Sequence, residues 1–234
     1  MENVLFQVSN MKTSYKKFSV RGVEFELKSG EIMGLIGKSG SGKSTIVKTL
    51  VGIKKKDTGS IKLKVNNQDV FLEDHLGYSS QENALFEHLT LKENLFTFGK
   101  LRNLTKAEIK DRSIFLLKKF KLENAKNKKI VELSGGMKKR SDIIISLLHD
   151  PDILILDEPF SGLDFALTHF LWDQIKYISK QGKIIIISSH FLNALQENCQ
   201  KLGFVEGGFF YNNNQLKEAM KKRHVSSLEA LFTI

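Results

Sequence analysis

One nine-residue segment constrains this chain more than any other feature. Gly37-Lys38-Ser39-Gly40-Ser41-Gly42-Lys43-Ser44-Thr45 matches the pattern G-x-x-x-x-G-K-[ST]. It follows the short apolar run Ile32–Ile36 and opens a helical stretch over Ser44–Val51. That strand–loop–helix context is what gives the pattern a mechanism. Glycines let backbone N–H groups curl around phosphate oxygens, and the helix N-terminus adds positive potential. Lys43 would place an ammonium on the β- and γ-phosphates of a nucleotide. Ser44 would offer a hydroxyl to Mg²⁺.

A second apolar run ends in acids: Ile153-Leu154-Ile155-Leu156-Asp157-Glu158. Four aliphatics before two carboxylates fit a strand buried on both faces, with the acids at its C-terminal edge, where ligands bind in such sheets. Asp157 is the candidate Mg²⁺ carboxylate. Glu158 is the candidate general base for an attacking water. Ile184–Ile187 is another apolar run of the same kind. Such runs spaced by helical segments predict an α/β domain with a mostly parallel sheet.

The rest of the chain departs from that rhythm in two places. The first 30 residues, including Val20–Leu27, and Ser60–Phe71 are strand-like and predict a small antiparallel sheet. The middle, about 82–135, predicts a helical insert. There Thr90–Phe98 reads as a helix, and Thr105-Lys106-Ala107-Glu108 reads as a capping box. Ile109, Leu116, Leu117 and Phe120 then share one helical face. With 234 residues and no linker, the whole of 1–234 is expected to form one domain, with a short basic segment at about 217–234.

Composition removes several classes. The single cysteine, Cys199, excludes an internal disulfide framework and a cysteine-rich zinc site. The N-terminal residues lack the basic and apolar regions of a signal peptide. No apolar run approaches the roughly 18–20 residues needed to cross a bilayer. The net charge of +10 fits nucleic acid, anionic lipid, nucleotide phosphate or a lysine-rich solvated surface.

Leu133-Ser134-Gly135-Gly136-Met137 adds a second Ser-Gly-Gly turn before a helix. With the segments above, it resembles the signature motif of the nucleotide-binding subunits of ABC (ATP-binding cassette) transporters. The resemblance runs from about residue 4 to 216. It implies a RecA-like phosphate-loop core, an N-terminal antiparallel β subdomain and an inserted α-helical subdomain. Ser134, Gly135 and Gly136 would close over the ATP held by a second subunit. Gln81, in Gly77-Tyr78-Ser79-Ser80-Gln81, resembles the glutamine that approaches Mg²⁺ and the water. Ser161-Gly162-Leu163-Asp164 resembles the loop that crosses to the partner. His190, after Ser188-Ser189, would hold the γ-phosphate, Glu158 and the water. Tyr15 resembles the aromatic residue that stacks on adenine, with Phe18 as a nearby competitor.

Two departures stand out. Met137 replaces the usual glutamine, and Ser141-Asp142 stand where small apolar residues are commoner. The LSGGM form, followed by Lys138-Lys139-Arg140, resembles the ABC-2 exporter branch. The resemblance implies an ATPase that pairs with itself or with a second ABC ATPase subunit around two ATP molecules. It would drive membrane-spanning permease subunits from the inner face of the cell membrane. Leu85, Phe86 and Leu89 mark either the expected docking cleft or core positions of the helical insert. The alternative is a soluble ABC ATPase acting on nucleic acid or in a non-transport complex. A single cassette without a long coiled coil or zinc-bearing insertion makes a nucleic-acid partner unlikely.

Overall fold

The computed structural model describes residues 3–15, 18–222 and 224–225. In chain order, the first elements are β1 (Val4–Tyr15), β2 (Phe18–Lys28), β3 (Ile32–Ile36), α1 (Lys43–Leu50), β4 (Thr58–Val65), β5 (Gln68–Val70) and β6 (Leu76–Ser79). Helices α2 (Leu91–Leu101), α3 (Lys106–Lys119) and α4 (Gly135–Leu147) follow. The chain continues through β7 (Ile153–Asp157), α5 (Phe165–Lys180), β8 (Ile184–Ser189) and α6 (Leu192–Asn198). It ends with β9 (Lys201–Glu206), β10 (Phe209–Tyr211) and α7 (Asn213–Lys222). Arg223 and 226–234, part of the expected basic segment, lie outside the described residues.

Among the described residues, ten strands form one sheet in the order β5-β4-β1-β2-β10-β9-β3-β8-β7-β6. Its two halves differ in kind. β5, β4, β1 and β2 pair antiparallel, as the strand-like N-terminal third predicts. β9, β3, β8, β7 and β6 pair parallel. The short apolar runs make the parallel half because both of their faces are covered. Ile153 and Ile155 enter one core with Met33, Leu35 and the α1 residues Ile46, Val47 and Leu50. Leu154 and Leu156 enter the other core with Ile143 and Ile144 of α4 and Leu171 and Ile175 of α5.

Between β6 and β7 the helices pack on one another. Both predicted helix starts are capping boxes. Thr90 and Glu93 exchange side-chain and backbone bonds at the start of α2, and Thr105 and Glu108 do so at the start of α3. These bonds hold the Glu93 and Glu108 carboxyls below the usual carboxylate range. Helix α4 lies close against β6. A Cβ at Gly77 would stand 2.2 Å from the carbonyl oxygen of Ser146. The atom it would meet is backbone, so no flexible side chain can yield there. Gly77→Ala is therefore expected to lower stability by about 1–3 kcal/mol, the range for overpacking. Urea unfolding checks it; a change within error would show that α4 can shift away from β6.

Candidate functional site

Strand register brings the sequence-predicted groups to one edge. β3 pairs with β8 so that Ile36 faces Ser189, and β7 pairs with β8 so that Asp157 faces Ser188. On the far side, Ser79 of β6 faces Leu156. The residues that follow, Gly37, Glu158, His190 and Ser80-Gln81, therefore all leave the sheet at its C-terminal edge. This is the edge at which ligands bind in open parallel sheets.

The phosphate loop joins β3 to α1. Gly42 takes φ +115°, which side-chain-bearing residues rarely adopt, and a Cβ there would stand 2.4 Å from Val20 Cγ2 and 2.9 Å from Phe18 Cε1. Gly40 instead has open space around it. Helix α1 has no capping side chain and no acid in its first turn. An anion meets no competitor there from the helix itself. The Oγ of Ser41 is buried without a hydrogen-bond partner. A cradle of this kind, with an orphaned hydroxyl and an uncapped helix start, fits a polyphosphate.

Lys43 is 7% exposed. Its Nζ donates to the carbonyl of Gly37 at 2.7 Å and of Lys38 at 3.3 Å. Burial pushes this ammonium below its usual range, while the Glu158 and Asp157 carboxylates pull it back up. The three groups thus share one electrostatic environment.

Asp157 is buried, and the hydroxyl of Ser188 donates to its Oδ1. The same serine holds the next residue. Glu158 N–H donates to the carbonyl oxygen of Ser188 at 3.0 Å and to its Oγ at 3.1 Å. Glu158 needs this hold because it sits at φ +48°, an uncommon conformation for a residue with a side chain. Its Oε2 lies 2.9 Å from Nδ1 of His190. A carboxylate at that distance orients the imidazole and fixes which ring nitrogen faces outward. Sequence reasoning placed Ser188 beside His190 but missed its part in holding both acids; the hydroxyl two residues before the histidine was the signal. Ser188→Ala is expected to cost about 1.5–3 kcal/mol of stability, as for a hydrogen bond to a charged group. Denaturant unfolding reads this, and an unchanged midpoint would contradict the bridging role.

Ser134 caps α4, its Oγ accepting from Met137 N–H at 3.3 Å. A Cβ at Gly136 would stand 2.3 Å from Leu167 Cδ2. The glycine therefore lets α4 sit against the start of α5, which Asp164 caps through Leu167 N–H at 2.8 Å. The Met137 side chain packs on the core, a place that suits a thioether. Tyr15 ends β1 at the β1–β2 hairpin and is 57% exposed, with Lys54 Nζ 5.6 Å from its ring centroid. Phe18, its competitor, packs beside Gly42 instead. Gln81 is exposed on the segment leaving β6, and its carbonyl accepts from Lys139 Nζ at 3.3 Å.

Among the described residues, no cluster of three or more His, Cys, Asp or Glu side chains forms a metal cage. Mg²⁺ does not require one. It is commonly held by one or two carboxylates together with substrate phosphates and waters. Asp157 and the Ser44 hydroxyl are hard oxygen donors of that type.

The sequence and the fold are similar to those of known proteins. The sequence model of the family described as "ABC transporter" matches residues 20–161. The chain is 34% identical over 212 residues to Nod factor export ATP-binding protein I of Rhizobium sp. (strain N33), covering 89% of the chain and 70% of that protein. It is 34% identical over 208 residues to linearmycin resistance ATP-binding protein LnrL of Bacillus subtilis (strain 168), covering 87% of the chain and 67% of that protein. The chain thus spans about two thirds of the length of these relatives. Among solved structures, an ATP-binding subunit of an ABC transporter superposes with a TM-score of 0.83 at 27% identity, covering 98% of each chain. CbiO1 from Clostridium perfringens, part of the cbiONQ transporter complex, superposes with a TM-score of 0.77 at 26% identity, covering 95% of this chain and 93% of that one.

Proposed function

From its membership of the ABC transporter family, to which the chain belongs as an ATP-binding, ATP-hydrolysing subunit, we propose that it powers an exporter. The observation that carries the catalytic reading is the Glu158–His190 pair, 2.9 Å apart, at the sheet edge that also carries Lys43 and the phosphate loop. The export reading is supported by relatives named for Nod factor export and linearmycin resistance.

In this reading, Gly37–Thr45 wrap the β- and γ-phosphates, and Lys43 turns its ammonium from the Gly37 carbonyl to phosphate oxygens. Tyr15 stacks on the adenine, which requires no base-specific hydrogen bond. Ser44, Asp157 and Gln81 would hold Mg²⁺, which would supply charge neutralisation for phosphoryl transfer. Glu158 accepts a proton from the attacking water as its oxygen bonds to the γ-phosphorus. The bond from that phosphorus to the β–γ bridging oxygen breaks, and ADP leaves. His190 holds Glu158 and the γ-phosphate in register. Ser134, Gly135 and Gly136 complete the site of a second subunit, identical or homologous, and two ATP molecules hold the pair closed.

The chain works as one catalytic domain, with the helices between about 82 and 135 as its inserted helical subdomain. Among the described residues, no helix is long and apolar enough to cross a membrane. Contact with the membrane would then come through permease subunits, with this chain on the inner face. Phe86 is 47% exposed and stacks on Phe98 at 5.4 Å between centroids, while Leu85 packs on the core. With Leu89, these residues form the surface on which such subunits dock.

Two substitutions test the catalytic assignment. Glu158→Gln is expected to bind ATP, to hydrolyse it about 10²–10⁴-fold more slowly and to accumulate as an ATP-bound dimer. Normal turnover in a phosphate-release assay would remove Glu158 as the base. Lys43→Ala is expected to weaken ATP binding about 10–100-fold, the loss of charge-assisted hydrogen bonds. Equal affinity in a fluorescent-nucleotide titration would contradict the phosphate-loop assignment.

A further inference from the structure

Helix α4 buries two charged side chains. Lys139 is 5% exposed and Asp142 4% exposed. Three residues apart, they share one helix face, and that face meets the segment leaving β6. Asp142 uses both carboxylate oxygens there: Oδ2 accepts from Ser79 Oγ at 2.5 Å, and Oδ1 accepts from Ala84 N–H at 3.1 Å. Lys139 Nζ donates to the carbonyls of Ser80 at 2.8 Å and Gln81 at 3.3 Å. One helix thus grips the segment on both sides of Gln81 and at Gln81 itself.

Burying two charges is costly, and an apolar pair would fill the same space at less expense. Burial raises the Asp142 carboxyl above its usual range, against Ser79, Lys139 and Ala84, and lowers the Lys139 ammonium, against Asp142 and Asp157. What the charged pair supplies is direction. Apolar side chains can slide over a loop, whereas four hydrogen bonds of fixed length carry the loop with the helix. The same helix begins at Ser134, little more than one turn before Lys139.

We propose that Lys139 and Asp142 are positioning residues that lock the Gln81 segment to α4. The helix whose first turn meets one ATP thereby sets the glutamine that serves the other. The inference rests on the reading above, in which Ser134–Gly136 complete a second subunit's site and Gln81 serves this chain's own. When α4 moves to meet the partner's nucleotide, Gln81 moves with it, so a subunit becomes competent as its signature turn engages. The phosphate loop lies outside this linkage, so nucleotide affinity is left largely unchanged.

Steady-state ATPase kinetics of the full chain test this. Asp142→Asn and Lys139→Met are each expected to lower kcat about tenfold, with the KM for ATP changed by no more than about twofold. In a Gln81→Ala background, the same substitutions are expected to lower kcat no further than about twofold. A full tenfold loss in that background, accompanied by a lower melting temperature, would mean a merely structural role and would overturn the proposal. Wild-type kcat in both single variants would also overturn it. Lys139→Met leaves the Asp142 bonds to Ser79 and Ala84 in place, so it carries the test if Asp142→Asn fails to fold. The underlying reading fails separately: Glu158→Gln with normal turnover removes it. An inactive Glu158→Gln and an impaired Gln81→Ala beside unaffected latch variants would remove the latch alone.

Discussion

The parallel pairing of β3, β8 and β7 is the constraint on which the site depends. Each of these strands is apolar on both faces, and each ends within a residue of its neighbours. A slip of one residue in a parallel pair would turn every side chain to the opposite face. Here such a slip would exchange the residues facing α1 with those facing α4 and α5. Because both cores are already filled, the register has one solution. In that solution Ile36, Asp157 and Ser189 finish together. The phosphate loop, the two acids and His190 are thus neighbours because aliphatic side chains pack on two sides of a sheet, and no polar contact needs to bring them together.

That placement creates an electrostatic problem at the edge. Asp157 is buried, Glu158 is nearly so, and Lys43 has little access to water. Ser188 eases it with one hydroxyl, which donates to Asp157 and accepts from the backbone of Glu158. Ser188 is fully buried at the end of a central strand, where its hydroxyl reaches both acids. The uncommon backbone of Glu158 turns its carboxylate toward His190 and away from the strand direction. Strain of this sort costs on the order of 1–3 kcal/mol and persists only where the surroundings fix it.

Much of this was legible in the sequence because the signals are local. The phosphate loop is nine consecutive residues. The two acids directly follow four aliphatics, and the caps at Thr105 and Ser134 need only the next few residues. The antiparallel half was legible as strand-like composition, although its bulged β1–β4 pairing was not. β9 and β10 left no clear signal, since Lys201–Glu206 neither alternates nor forms an unbroken apolar run. The links between distant segments were also hidden. Asp142 stood out as an oddity beside Ser141, yet its partners Ser79 and Ala84 lie 63 and 58 residues away in sequence. A departure from pattern is visible in one dimension; the reason for it requires the packing of α4 on β6.

Helix α4 therefore has two kinds of contact with different physics. Toward its own side of the sheet it is held by Ile143, Ile144 and Leu147, which resist separation but define direction only through shape. Toward the β6 exit it is held by Ser79, Ser80, Gln81 and Ala84 through bonds of set length. Its start meets α5 through Gly136, where the absence of a side chain lets the two helices sit close. A rod held in this way transmits displacement to its bonded loop more faithfully than to its apolar neighbours, because a hydrogen bond weakens steeply with misalignment while dispersion contacts do not. The excess positive charge of the chain plays no part in that linkage. What matters is one lysine, buried where charge is expensive, and facing two carbonyls that water would otherwise satisfy.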